Sequence, residues 1–173
     1  MNLEQLCQRA GQIFRGTVLS ARVGTIEAGG GRIPTVTYRI QVDESFKGEF
    51  QTVKGRSIAE IRMVGKAAMT ESGNQQLLPV LKDVPNLEVG KTYLLLTTRP
   101  SAVGLSTTVG LGQGAFRLYG KSGQEQAVNE FGNRGLFKET AKTARVTAAS
   151  PAGAGPVPYA MLADRIRAIV GGR

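Results

Sequence analysis

The segment from Ile13 to Gly48 constrains the fold of this chain more than any other part of the sequence. In the stretch Val36–Asp43 every second residue is apolar and the residues between are polar. A period of two places one set on a buried face and the other on a wet face of a β-strand. Residues 13–23 are rich in β-branched and apolar side chains, and three glycines at 29–31 follow them. The segment therefore predicts a long hairpin with a flexible tip.

Further strands and a short N-terminal helix are predicted around this hairpin. Asn2 and Gln5 suit a capping box ahead of apolar residues at helical spacing, with Gly11 ending the helix. The run Tyr93–Thr97 is apolar and bounded by turn residues, which is typical of a central strand buried on both faces. The other predicted extended segments are Ser57–Val64, Leu77–Pro85, a β pair formed by Leu105–Gly112 and Ala115–Tyr119, and a brief edge strand at Gln126–Asn129.

The C-terminal part of the sequence predicts a connection followed by a helix. Residues 140–158 are rich in Ala, Thr, Gly and Pro, which indicates a loose connection. Residues 159–170 carry apolar side chains on one helical face, so we expect an amphipathic helix that docks on the sheet. At 173 residues the chain is long enough for a single domain, 1–173. Several short strands, an early hairpin and flanking helices predict a small β-barrel, with its core over residues 13–120.

Composition restricts the chemistry of the chain. It contains no histidine and one cysteine, Cys7. The usual Cys/His zinc site, a histidine-based triad and an internal disulfide are therefore excluded. Asp43 and Glu44 are adjacent and point to opposite sides of a strand, which does not suit an acid/base pair. We therefore expect a protein that is not an enzyme and needs no cofactor.

The charge balance bears on possible partners. Lys plus Arg number 22 against 13 acidic residues, a net charge of +9. A surface of this sign attracts polyanions or acidic partner proteins, although it also serves solubility alone. No stretch approaches the length of about 20 apolar residues that a transmembrane helix needs.

Three motifs carry a resemblance to a known family: Ile13–Val18, the stretch from Tyr38 to Gly48, and Gly90–Leu96. Together they resemble the netrin-like module, which the tissue inhibitors of metalloproteinases share. The chain is also similar to uncharacterised bacterial secreted proteins with a motif like Gly110–Arg117. The resemblance covers roughly residues 7–120. It implies a mainly β fold, an OB-type five-stranded, partly open Greek-key barrel with a short N-terminal helix and a C-terminal amphipathic helix.

The resemblance also implies a function. It points to a non-catalytic extracytoplasmic binding module, secreted or periplasmic, whose partner is a protein such as a protease. The first residues lack the basic start and long apolar run of a secretory signal, so we expect either a mature domain whose leader was removed or a cytoplasmic protein. The metalloproteinase inhibitors chelate the protease zinc through an N-terminal cysteine. Cys7 is the one candidate for that role, and only if processing removed residues 1–6, which are themselves predicted to be helical.

Five residues form the predicted binding surface. Thr37, Arg39 and Gln41 lie on the wet face of one predicted strand, and Arg117 with Tyr119 is expected to extend it. The competing interpretation is an ordinary solvated strand face, which antiparallel sheets commonly have.

Binding of single-stranded nucleic acid is the alternative function. OB folds bind single strands through exposed aromatic platforms flanked by Arg and Lys. The net charge favours this function, but most aromatic residues occupy core-like positions. Only Tyr119, Phe131 and Phe137 are expected to be free to stack on bases.

Overall fold

The computed structural model describes residues 1–69, 75–78, 84–138 and 154–172, and this part of the chain is mainly β. The strands are β1 (Gln12–Ala28), β2 (Gly31–Lys47), β3 (Gln51–Val53), β4 (Arg56–Val64), β5 (Lys66–Met69), β6 (Gln75–Leu78), β7 (Thr92–Thr97), β8 (Ala115–Tyr119), β9 (Gln126–Asn129) and β10 (Val157–Pro158). The helices are α1 (Leu3–Arg9) and α2 (Tyr159–Gly171), with a 3-10 turn at Leu111–Gly114.

Eight strands form one antiparallel sheet in the order β10-β9-β8-β7-β1-β2-β4-β3, and β5 pairs with β6 in a separate two-stranded sheet. Among the described residues the end strands β10 and β3 do not pair with each other. The described strand pairing is therefore open, and it does not establish the five-stranded barrel expected from the sequence. No helix in the described ranges is long and apolar enough to cross a membrane.

The predicted hairpin is confirmed and is longer than expected. β1 and β2 stay paired from Ile13 opposite Lys47 to Ala28 opposite Gly31. Gly29 and Gly30 make the turn with φ angles of 62° and 78°. Positive φ at both central residues is the type I′ geometry that matches the twist of paired strands, and glycine adopts it without strain. The glycines that looked like a flexible tip therefore form a tight two-residue turn.

Irregular pairing bends the hairpin near its base. The β1–β2 register shifts three times between Ile13 and Ser20, and such bulges increase bend and twist. Gly16 lies at one shift, where an added Cβ would stand 2.5 Å from the Gln41 carbonyl oxygen. The strands approach closely here because residue 16 has no side chain.

The sheet carries an apolar cluster on each face, and β7 contributes side chains to both clusters. Leu94 and Leu96 lie in a helix-side cluster with residues of α1 and α2. Leu95 lies in an inner cluster with Phe14 and Tyr38. β7 has β1 and β8 as neighbours, and all three leucines are inaccessible to solvent. The prediction of a central strand buried on both faces is confirmed.

Both predicted helices are confirmed. In α1 the Gln5 N–H donates to Asn2 Oδ1 at 2.9 Å, and the Asn2 N–H donates to Gln5 Oε1 at 3.0 Å, which forms the expected capping box. Helix α2 begins directly after Pro158, and its Leu162 and Ile166 are completely buried in the helix-side cluster. The two helices thus cover one face of the sheet at the base of the hairpin.

The structure differs from the sequence prediction after β7. Leu105–Gly112 is not a strand: it makes one bridge, Thr108 with Thr97, and then turns into the 3-10 segment. Gly110 precedes that turn with φ +64°, a conformation that ends an extended run. β8 pairs instead with β7 and β9, and β9 is an internal strand because β10 pairs with its other side. Two predicted segments lie partly outside the described residues: residues 79–83 of the extended segment and residues 140–153 of the loose connection.

Replacing Leu95 with alanine should lower the free energy of unfolding by about 2–5 kcal/mol, because the change leaves a cavity between β7 and the inner cluster. Leu19→Ala is the matched control, since Leu19 is 45% exposed and loses little packing. Urea unfolding followed by circular dichroism measures both variants. Equal small losses would show that Leu95 is not a central core residue.

Candidate functional site

A polar face covers the outer side of β1, β2 and β4 beyond the two helices. On one side of β1, Ile13 lies in the helix-side cluster, and the next residue on that side, Arg15, lies at the edge of α2. Thr17 follows on the same side and is half-buried. The change from apolar to polar residues on one side of a strand therefore marks where helix cover ends.

Strand pairing brings residues from three strands into rows on this face. Arg22 pairs with Thr37, which pairs with Arg62, and Ser20 pairs with Arg39, which pairs with Glu60. The side chains of directly paired residues lie on the same side of a sheet, with their Cβ atoms about 4.5–5.5 Å apart. We call the following polar set the outer face: Thr17, Ser20, Arg22, Thr37, Arg39, Gln41, Asp43, Arg56, Glu60 and Arg62. The buried side chain of Ile58, which pairs with Gln41, lies among them.

Hydrogen bonds link the side chains of the outer face across strands. Arg62 Nε donates to Thr37 Oγ1 at 3.2 Å, and Arg56 Nη1 donates to Gln41 Oε1 at 3.3 Å. At the end nearest the helices, the Thr17 hydroxyl donates to Asp43 Oδ2 at 3.1 Å. Two of the arginines are thus anchored by neutral partners, and these two contacts do not compensate their charge.

Four arginines against two acidic residues give this face a net positive charge. Arg22, Arg39 and Arg56 are exposed and Arg62 is half-buried. None of the four forms an ion pair with a residue in the described ranges. Unpaired guanidinium groups on one sheet face produce a local positive potential that attracts anionic partners.

The structure keeps three of the predicted surface residues together and separates the other two. Thr37, Arg39 and Gln41 are all on the outer face. Arg117 pairs with Tyr93, whose side chain belongs to the inner cluster, so Arg117 projects from the opposite side of the sheet. Arg117 there forms an ion pair with Glu88 at 3.6 Å, and Tyr119 next along that side is 44% exposed.

Arg22, Arg56 and Arg62 were not predicted as site residues. In the sequence, Ala59, Ile61 and Met63 alternate with polar residues, and this pattern indicates which side of β4 is wet. Which strands lie beside β2, and in which register, is not encoded in any local pattern. The arginines therefore join Thr37 and Arg39 only through long-range pairing.

A charged network borders the outer face where α2 ends its cover. Arg15 forms an ion pair with Glu125 at 2.9 Å and stacks 4.8 Å from the centre of the Tyr159 ring. The Tyr159 hydroxyl and Arg167 both donate to the Glu44 carboxylate. The Arg15 hydrogen bond lowers the pKa of Glu125, whereas burial and then Glu44 raise the pKa of Tyr159. These charges are paired within the protein and hold α2 to the sheet.

Cys7 lies buried in α1 and not at a surface. Burial raises the pKa of its thiol to about 12. It lines a small cavity of about 110 Å³ together with Lys47, Ile169 and Val170. The Lys47 ammonium donates to the carbonyl oxygen of Cys7 at 3.1 Å. Removal of residues 1–6 would delete Leu3 and Leu6 from the helix-side cluster, so a chelating role for Cys7 would require loss of core packing.

Few aromatic side chains are available for stacking on bases. Tyr119 and Phe131 are exposed, as predicted, but neither is on the outer face. Phe137 is half-buried and lies beneath Arg165, whose guanidinium is 4.9 Å from its ring centre. The basic surface and the exposed aromatic rings therefore occupy different parts of the described structure.

Comparisons with known proteins leave the family of this chain unassigned. No protein-family model, curated protein sequence or solved structure matched it.

Within the described ranges, no three His, Cys, Asp or Glu side chains are grouped so that they could hold a metal ion.

Cys7 should react far more slowly with iodoacetamide in the native protein than in the unfolded one. A thiol pKa raised from about 9 to about 12 lowers the thiolate fraction at pH 8 by about a thousandfold, and the thiolate is the nucleophile. Mass spectrometry of protein alkylated with and without denaturant measures the ratio. Comparable rates in both states would show that the thiol is accessible and ionised.

Proposed function

We propose that this protein is a non-catalytic, extracytoplasmic binding module whose partner is a protein with an acidic surface. The observation that carries the proposal is the outer face, where Arg22, Arg39, Arg56 and Arg62 lie together without ion-pair partners among the described residues. Arg15 and Arg167, which border this face, are by contrast matched with carboxylates. A cluster of unmatched charges on a rigid sheet is suited to recognition by complementary charge.

We further propose that the fold is a partly open OB-type barrel of the netrin-like kind. Two contacts support it. The Ser106 N–H donates to the Arg62 carbonyl at 2.8 Å, and Thr108 bridges Thr97 at the end of β7. The segment between β7 and β8 thus touches both β7 and β4, and it would complete a ring with β1 and β2. A secreted or periplasmic location accompanies this resemblance.

A protein partner fits the outer face better than single-stranded nucleic acid. Stacking of bases on aromatic side chains contributes about 1–3 kcal/mol per base in single-strand recognition. None of the residues that define the outer face is aromatic, whereas Tyr119 lies on the opposite side of the sheet. Acidic side chains of a protein can bind through charge-assisted hydrogen bonds to guanidinium groups alone, and the outer face provides these groups.

Charge reversal on the outer face should abolish most binding to an acidic polymer. The double variant Arg39→Glu and Arg62→Glu should bind immobilised poly-L-glutamate at least about tenfold more weakly than the unchanged protein at low salt, because attraction becomes repulsion. The matched control is Lys121→Glu with Arg134→Glu, which changes net charge equally at exposed positions away from this face.

Surface plasmon resonance at two salt concentrations gives the affinities. Oligo(dT) is measured in parallel, and it should bind more weakly than poly-L-glutamate. Equal losses in the two double variants would mean that net charge alone drives binding and would contradict the proposed site. Tighter binding of oligo(dT) would instead favour nucleic acid as the partner.

A further inference from the structure

We infer that the outer face binds an extended segment of its partner that carries carboxylates at alternate residues and runs along β2. This inference rests on the proposed function and specifies the ligand of the same site. It follows from the spacing of the four arginines along β2 and from the hydrogen bonds that hold two of them in place.

The arginines follow β2 in steps of two residues. Arg22 and Arg62 flank Thr37 from the neighbouring strands, and Arg39 occupies the next position on the same side. Arg56 reaches the third position through its hydrogen bond to Gln41. Two residues of a strand span about 6.6–6.8 Å, so guanidinium groups recur at this interval along the face.

An extended peptide has the same repeat. Its alternate side chains point to one side and stand about 6.6–6.8 Å apart. Carboxylates at every second residue would therefore meet the arginine rows one after another. Consecutive carboxylates would point alternately toward and away from the face, so only half of them would reach it.

The row centred on Thr37 is suited to hold one carboxylate between two guanidinium groups. Arg62 uses its Nε to bond Thr37, which holds the side chain, and among the described residues its guanidinium forms no ion pair. Arg22 approaches the same row from β1. Guanidinium groups bind carboxylates through paired, charge-assisted hydrogen bonds, and fixing the donor beforehand reduces the entropy cost.

Acidic residues bound the site and exclude some occupants. Asp43 lies at the end of the face nearest the helices, where its carboxylate would repel a further acidic side chain. Glu60 shares the middle row with Arg39, so the rows of Thr37 and Gln41 supply most of the attraction. A second copy of this chain is a poor partner because each copy carries a net charge of +9.

The test compares two synthetic peptides of equal length and composition, one with glutamate at every second residue among threonines and one with its glutamates consecutive. Fluorescence anisotropy at low salt should show about tenfold tighter binding of the alternating peptide to the full chain. Oligo(dT) of similar charge serves as a nucleic-acid probe and should bind more weakly than the alternating peptide.

Variants connect the preference to individual residues. Arg62→Gln should remove most of the preference for the alternating peptide, and Thr37→Val should reduce it by releasing the Arg62 side chain while keeping the shape of residue 37. Arg134→Gln, an exposed arginine away from the face, is the control and should leave the preference unchanged.

Each other outcome overturns the inference. Equal affinity for the two peptides, with binding still lost in Arg62→Gln, would contradict the inference of an extended ligand with alternating carboxylates. The proposed function would then remain in place. Equal losses in Arg62→Gln and Arg134→Gln would contradict the proposed function as well. Tighter binding of oligo(dT) than of either peptide would identify a polynucleotide as the occupant.

Discussion

The backbone pairing of β1 with strands on both of its sides is the constraint on which the rest of the structure depends. β1 pairs with β2 along almost its whole length and with β7 from Gln12 to Thr17. A slip of one residue in either pairing would exchange the two faces of the strand. The observed register places Ile13 under the helices, Phe14 in the inner cluster and Thr17 on the outer face. Two buried clusters and one open polar surface therefore follow from a single alignment.

The sequence predicted the elements whose signals are local. The hairpin, β7 and both helices follow from apolar periodicity, from the capping residues Asn2 and Gln5, and from turn glycines. Leu105–Gly112 was predicted as a strand because it contains β-branched and apolar residues, yet only Thr108 finds a bridge partner. Its backbone turns at Gly110 before further pairing can form. The β-propensity of this segment therefore does not decide its structure, because the chain must turn here to reach β8.

The candidate site was predictable only in part, for a related physical reason. Alternation within β2 was sufficient to put Thr37, Arg39 and Gln41 on one wet side. Placing Arg117 relative to them required the order of four strands and the register shifts in β1 near Gly16. Each shift changes which residues of neighbouring strands face each other, and no local pattern reveals where a shift occurs. For the same reason the sequence does not predict that Arg22 and Arg62 lie beside Thr37, because they meet it only through cross-strand pairing.

The attachment of the first helix has a consequence for how the molecule assembles. Asn2 Nδ2 donates to the Lys138 carbonyl at 3.0 Å, and the Leu3 N–H donates to that of Leu136 at 2.8 Å. These partners are synthesised more than a hundred residues later. During translation α1 therefore cannot form these two hydrogen bonds until residues 136 and 138 have emerged. Contacts of such long sequence separation slow folding, and apolar surface exposed on a nascent chain promotes aggregation, so the late synthesis of these partners prolongs the time in which α1 is not attached.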